Sequence, residues 1–176
     1  MRYASKSSHD TRHDGPDLEQ TSVIVRTMAE TDIDRVVSID AESSGQRRPD
    51  YFALQLRRAR ERNSLHVSLV AEVDDVVVGF VVGTVYYGEF GLLETSATID
   101  SIGVQKRLRG RAVGRALLRQ LRLNLASLRV TAVRTEVAWD DFALLAFLKR
   151  EGFRPASRLC LEATLDPTAP ESEGSV

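Results

Sequence analysis

The chain has 176 residues, 43% of them hydrophobic and 28% charged, and its 24 Lys and Arg nearly balance its 25 Asp and Glu. That size and apolar content fit one soluble globular domain with a substantial core. A net charge of −1 excludes a general nucleic-acid binder.

A single cysteine, Cys160, excludes an intrachain disulfide and a Cys-based metal cluster. Of the three histidines, His9 and His13 lie in a polar N-terminal segment, so no metal site is expected. No run approaches the roughly 18 apolar residues that span a bilayer. The N-terminus lacks the apolar core of a signal peptide, so the expectation is a cytoplasmic protein with no membrane partner.

Residues 1–20 and 167–176 are polar and read as disordered tails around a single domain at 21–166. Val23–Arg26 reads as a short strand. Thr31, with Asp34 three positions on, is placed to cap a helix through Ile33, Val36, Val37 and Ile39. Pro49 starts a second helix with Tyr51, Phe52, Leu56 and Ala59 inward and an arginine-rich outer side. Val67–Val73, a tight Asp74-Asp75 turn and Val76–Tyr87 make a hairpin. A loop at 88–94 leads to a strand at 97–104. In that strand Ile99 and Ile102 stand on opposite phases of a strict alternation. A bulge near Asp100-Ser101 reconciles them, as does burial on both faces.

After Val104 the strand breaks into a basic, glycine-bearing turn that opens directly into a helix. Such a junction leaves backbone N–H groups unpaired at the positive end of the helix dipole, which suits a phosphate. The two glycines, Gly110 and Gly114, stand four apart with Arg115 next, so a Walker loop and a dinucleotide fingerprint both fail on spacing. The helix runs to about Leu128, with Val113, Leu117, Leu121, Leu125 and Leu128 as its buried stripe. Arg111, Arg115, Arg119 and Arg122 line the other side, and for Arg119 and Arg122 a solvated face is sufficient. Arg109, Arg111 and Arg115 fall in the first turn, where cations oppose the dipole and a bound anion accounts for them better.

Val130–Ala138 reads as the next strand. Asp140 or Asp141 caps a helix through Phe142, Leu145 and Phe147, and Gly152 ends it. Arg158–Thr164 is expected to be a closing strand, with Cys160 in the core.

Arg109-Gly110-Arg111-Ala112-Val113-Gly114 fits the pattern [QR]-x-x-[GA]-x-[GA] and resembles the pyrophosphate-binding signature of the GNAT superfamily, the acetyl-CoA-dependent N-acetyltransferases. Ile99–Val104 is similar to the strand that precedes it there. A second region, Val137 through Gly152-Phe153, resembles the family's C-terminal V-x-x-x-N-x-x-A-x-x-x-Y-x-x-x-G-F pattern. Two of its departures matter: Asp141 stands where Asn is usual, and Leu148 where Tyr is usual. The resemblance covers about residues 23–165.

It implies an α/β (α+β) GNAT fold: a mixed, mostly antiparallel sheet of 6–7 strands flanked by 4 helices, with the two central strands splayed. It also implies direct attack of a primary amine on the thioester of acetyl-CoA, in a ternary complex and without a covalent enzyme intermediate. The N–H groups of Arg109, Gly110, Arg111, Ala112, Val113 and Gly114, with Arg115 beside them, would hold the cofactor. Ile102, Gly103 and Val104 would pair with the pantetheine arm, Val104 facing the thioester oxygen.

Proton removal then requires a carboxylate near the splay, for which Asp100 and Glu136 are the candidates and Glu94 a third. Asp100 interrupts an apolar strand, which has a cost unless the group is hydrogen-bonded or used. Glu136 shares a strand face with Arg134, and a structural ion pair is the alternative. Tyr86, Glu89, Glu94 and Trp139 are candidates for the acceptor pocket, with Tyr87 and Phe90 as further apolar wall. The acceptor would be a small cationic amine, a protein N-terminus or a lysine, and a homodimer stays open. Leu148 cannot protonate a departing thiolate. That leaves room for a non-catalytic module that binds acyl-CoA as a sensor or partner domain.

Overall fold

The computed structural model describes residues 22–60, 66–87, 94–158 and 160–165. The chain divides into two compact units, Met1–Glu136 and Val137–Val176. Among the described residues the first unit holds five strands and three α-helices. The strands are β1 (Ile24–Thr27), β2 (His66–Val73), β3 (Val76–Tyr87), β4 (Thr95–Val104) and β5 (Ala132–Thr135). The helices are α1 (Ile33–Ser44), α2 (Pro49–Arg60) and α3 (Val113–Ser127), and the second unit contributes α4 (Phe142–Arg150). No helix among these residues is long and apolar enough to cross a membrane.

The sheet runs β1-β2-β3-β4-β5, antiparallel up to β4 and parallel between β4 and β5. Five strands stand where six to seven were expected. The expected closing strand at 158–164 is not formed by the described residues there. Cys160 is exposed, as are Leu161 and Leu165 at 88% and 84%. The predicted strand at 130–138 shortens to four residues because its pairing with β4 ends at Ile99.

Local chemistry accounts for most elements. Asp74 and Asp75 both take positive φ, 50° and 59°, which a two-residue turn between right-twisting strands requires and short polar side chains tolerate. Pro49 opens α2 as predicted. The start of α1 differs from expectation. A 3-10 turn at Glu30–Asp32 precedes it, and the Asp32 carboxylate, not Thr31, accepts the Ala29 N–H at 2.7 Å. Asp32 is drawn there by Arg26, whose guanidinium donates to Asp32 and to Glu72 of β2.

Helices α1 and α2 cover one sheet face through Val36, Val37, Ile39, Phe52 and Leu56, packed on Val70, Phe80 and Val82. Tyr51, Phe52 and Phe80 meet edge to face at 5.0 and 5.1 Å. Helix α3 covers the other face with Val113, Leu117, Leu118, Leu121 and Leu125. Leu128, expected in that stripe, lies past the helix end and is 45% exposed. Arg119 and Arg122 are exposed, as a solvated face requires, and so are Arg111 and Arg115. In the second unit Asp141 caps α4 by accepting from Leu144 N. Gly152, at φ 88°, closes it by donating to the Lys149 carbonyl while Phe153 donates to that of Leu148.

Candidate active site

The site is built around a break in β4. Val82 pairs with Ser101 and Gly83 with Ile99, so Asp100 is the extra residue of a β-bulge. This resolves the conflict between Ile99 and Ile102. Thr98 and Asp100 keep one phase of the alternation, and the phase resets after the bulge. On the other side, β5 pairs with β4 only over Ser96–Ile99, and Thr135 Oγ1 donates to the Ile99 carbonyl at 3.0 Å. Past Ile99 the two strands part, and the splay begins at Asp100.

Thr84 pairs with Thr98 on β4 and with His66 on β2, which places the three side chains on the α1–α2 face. Thr84 donates its hydroxyl to Asp100 Oδ2 at 2.7 Å and lies 3.0 Å from His66 Nδ1. Solvent reaches Asp100, yet burial by the sheet raises its proton affinity, opposed by the Thr84 hydrogen bond and by the charge of His66.

Tyr51 is the counterpart from α2. Its phenol is held above the usual value by burial first and by the Asp100 charge second. Arg48 fixes Tyr51 from outside, its guanidinium 4.8 Å from the ring centroid. Arg48 is itself clamped by two hydrogen bonds to the buried Asp40, at 3.0 and 2.8 Å.

Glu136, next to the end of β5, is exposed and makes no ion pair with Arg134 among the described residues. Glu94 is exposed just ahead of β4, and Tyr86 is half-buried opposite Ser96. Glu89 and Phe90 lie outside the described residues. Trp139 belongs to the second unit, where it is 83% exposed. Thus Asp100 and Tyr86 share a strand face, and Glu136 sits at the splay.

The downstream half of β4 presents its backbone to the splay. Gln105 N donates to the Val78 carbonyl at 2.9 Å, which makes Gly79–Val104 a non-hydrogen-bonded pair. Val104 and, two residues back, Ile102 therefore turn their N–H groups away from β3. Gly103 turns its own toward β3, and it is a glycine because a Cβ there would meet the Phe80 ring at 2.5 Å.

The loop to α3 is tighter than a plain turn. A 3-10 turn at Lys106–Leu108 is followed by Gly110 at φ 82° and Ala112 at φ 63°. The amides of Arg109 and Arg111 are used within the loop, donating to Lys106 and Leu108. The Arg109 guanidinium folds back onto the Val104 carbonyl (3.1 Å) and Ser43 of α1 (2.6 Å), and Glu42 accepts from Lys106 N at 2.8 Å. Arg109 and Arg111 precede α3, so only Arg115 of the three arginines lies in its first turn. The first helical bond runs from Ala116 N to the Ala112 carbonyl. Val113 and Gly114 therefore hold the N–H groups at the open, positive end.

Sequence reasoning missed Thr84, His66, Tyr51 and Arg48. One signal was available for Thr84: it is the only aliphatic hydroxyl in the apolar run Val76–Tyr87.

The comparisons agree with this geometry. The model of the acetyltransferase (GNAT) family matches residues 33–153. An aminoglycoside 6'-N-acetyltransferase from Acinetobacter baumannii is similar in structure, with TM-score 0.71 at 12% identity over 82% of this chain and 99% of that one. A ribosomal-protein-alanine N-acetyltransferase from Brucella melitensis biovar Abortus 2308 gives 0.65 at 19%, over 82% and 100%. The PaiA N-acetyltransferase of Thermoplasma acidophilum, solved with coenzyme A, gives 0.66 at 14%, over 76% and 90%. No curated protein sequence matches the chain. A family match over more than half the chain, on a splayed and bulged sheet with a helix N-terminus beside it, settles its membership: this protein belongs to the GNAT family of acetyltransferases.

Proposed function

We propose that the chain transfers an acetyl group from acetyl-CoA to a primary amine by direct attack, with Asp100 as the base. The observation that carries this reading is the placement of two functions on one strand. Asp100 stands at the splay, and four residues on Val104 turns its N–H into the same opening, ahead of the α3 N-terminus. In this reading the amides of Ile102 and Val104 hold the pantetheine arm, with that of Val104 on the thioester oxygen. The open end of α3 at Ala112–Gly114 takes the pyrophosphate, with Arg111 and Arg115 alongside. Arg109 holds the loop in shape through Val104 and Ser43 and does not itself grip the ligand.

The acceptor is a cationic amine, since Asp100, Glu94 and Glu136 give the opening an acidic character. Asp100 takes one proton from the ammonium, the amine nitrogen bonds to the acetyl carbon, the carbon–sulfur bond breaks, and the second proton of the acylated nitrogen passes through solvent to the departed thiolate. The thiolate leaves without an acid from Leu148. A free thiol has a pKa of about 8.5, so it is a tolerable leaving group unaided.

The test is thiol release from acetyl-CoA with kanamycin, spermidine, an alanine-initiated peptide and a lysine peptide. Turnover with one of them is expected. Absence of turnover with all four and of thermal stabilisation by millimolar acetyl-CoA would overturn the reading. A second reading, a non-catalytic acyl-CoA-binding module, rests on Leu148 in place of a tyrosine. It predicts stabilisation by acetyl-CoA with no turnover.

A further inference from the structure

The base has a support that the family pattern does not assign. Thr84 donates to Asp100 Oδ2, so its oxygen meets His66 as an acceptor, and the 3.0 Å contact is donated by His66 Nδ1–H. Three successive strands thus contribute to one chain of hydrogen bonds across the sheet: His66 from β2, Thr84 from β3 and Asp100 from β4. Thr84 is buried and His66 half-buried, so the chain lies across a face otherwise filled by Val70, Phe80 and Val82. Two residues along β2 the same face carries the buried hydroxyl of Ser68, whose Oγ has no protein partner among the described residues. This is a polar seam in an apolar surface, and such seams are held for a purpose or at a cost.

We propose that His66 is a positioning residue for acetyl transfer: through Thr84 it fixes Asp100 Oδ2 and leaves Oδ1 to receive the proton of the acceptor. The inference rests on the assignment of Asp100 as the base. Without the imidazole donor, the Thr84 hydroxyl is free to rotate away, and Asp100 on a bulged strand loses its fixed orientation. The link has a second effect. Both the neutral Nδ1–H form and the imidazolium donate to Thr84, but the imidazolium adds a positive charge that favours the carboxylate. Among the described residues, the titratable and charged groups that face Asp100 are His66 from β2 and Tyr51 from α2, with Arg48 and Asp40 behind the tyrosine.

The test uses the full chain with the best amine of the panel above. His66→Leu is expected to lower kcat about 10-fold, the effect of one lost hydrogen bond, with KM for acetyl-CoA unchanged. It also moves the acid limb of kcat/KM to higher pH. His66→Asn, which keeps an N–H donor, recovers most of kcat but not the pH shift. Thr84→Val matches His66→Leu, and the double variant is no slower than either single one, because both break the same chain. Independently of activity, ¹⁵N spectra of the wild type show His66 protonated at Nδ1, with the signal shifted in Thr84→Val.

Wild-type kcat and pH profile in His66→Leu, or an unprotonated Nδ1 in the neutral form, overturns the positioning role. If Asp100→Asn is inactive in the same assay, the base assignment survives that failure. If Asp100→Asn keeps wild-type turnover, the base assignment and the positioning role both fall.

Discussion

Asp32 and Asp100 are both aspartates in hydrogen-bonded networks on one unit, and they are held in opposite ways. Asp32 has a side chain only 7% exposed and receives two guanidinium N–H bonds from Arg26 and the backbone N–H of Ala29. Its proton affinity is lowered, by Arg26 first, against the effect of burial. Asp100 receives one hydroxyl, and burial raises its proton affinity. A carboxylate saturated with donors is a structural tie. One that keeps an oxygen in reserve and is disfavoured as an anion is equipped to take up a proton.

The sharpest way to break this contrast is to remove the charge of one aspartate and the partner of the other. Asp100→Asn should lower kcat by about 10²–10⁴-fold, the range for loss of a general base, in the thiol-release assay. Its melting temperature at pH 7 should hold or rise, because the folded state disfavours the anion that the substitution removes. A fall in stability with activity intact would invert the two roles.

Arg26→Met addresses the other side. It leaves Asp32 buried without its guanidinium and should cost about 2–3 kcal/mol at pH 7 by urea unfolding, discounted because Arg26 is partly exposed. Turnover of the remaining folded protein should be unchanged. The pH dependence has a definite sign. Asp32 has a folded pKa below its unfolded value. The tie is therefore worth most above pH ~4 and is lost as pH falls through the folded pKa. Wild type and Arg26→Met should converge in acid, and parallel curves down to pH 3 would show that the tie is not electrostatic.

A third substitution perturbs the seat of β4 without touching either carboxylate. Gly103→Ala places a methyl against the Phe80 ring and should cost about 1–3 kcal/mol. It should also slow turnover by displacing the strand that carries Asp100. The smallest effect is the control in the second unit. Gly152→Ala puts a Cβ at φ 88° and should cost about 1 kcal/mol, while leaving the pH profile of turnover unchanged.

The parts of the fold that were legible in the sequence are those whose cause is local. The Asp74-Asp75 turn, Pro49 at the head of α2, the Asp141 cap and the Gly152 stop each answer to one or two neighbouring residues. The bulge was legible as well, because Ile99 and Ile102 conflict within four positions, although burial on both faces fitted equally. What stayed hidden is set by pairing across the chain. Arg26 and Glu72 are 46 residues apart, and their link with Asp32 displaced the predicted Thr31 cap. His66 and Thr84 meet only through the register of β2 on β3. The segment 158–164 has the alternation of a strand, yet its described residues take no strand conformation, because alternation alone does not set pairing. In the loop, the signature located the turn and α3, whereas the turning inward of the Arg109 side chain depends on Ser43, 66 residues away.

The bulge at Asp100 makes β4 two strands laid end to end. Thr95–Ile99 is clasped on both edges, by β3 and by β5, and has little freedom to shift. Ser101–Val104 is clasped on one edge only and is re-phased by a single inserted residue. Deleting that residue would restore strict alternation and leave Ser101–Val104 in its present register on β3, with the carboxylate gone and the kink of the bulge removed. Gly103 would stay opposite Phe80, and the N–H groups of Ile102 and Val104 would still turn away from β3. One inserted residue thus lifts a carboxylate out of the ladder while both halves of the strand keep their pairing with β3.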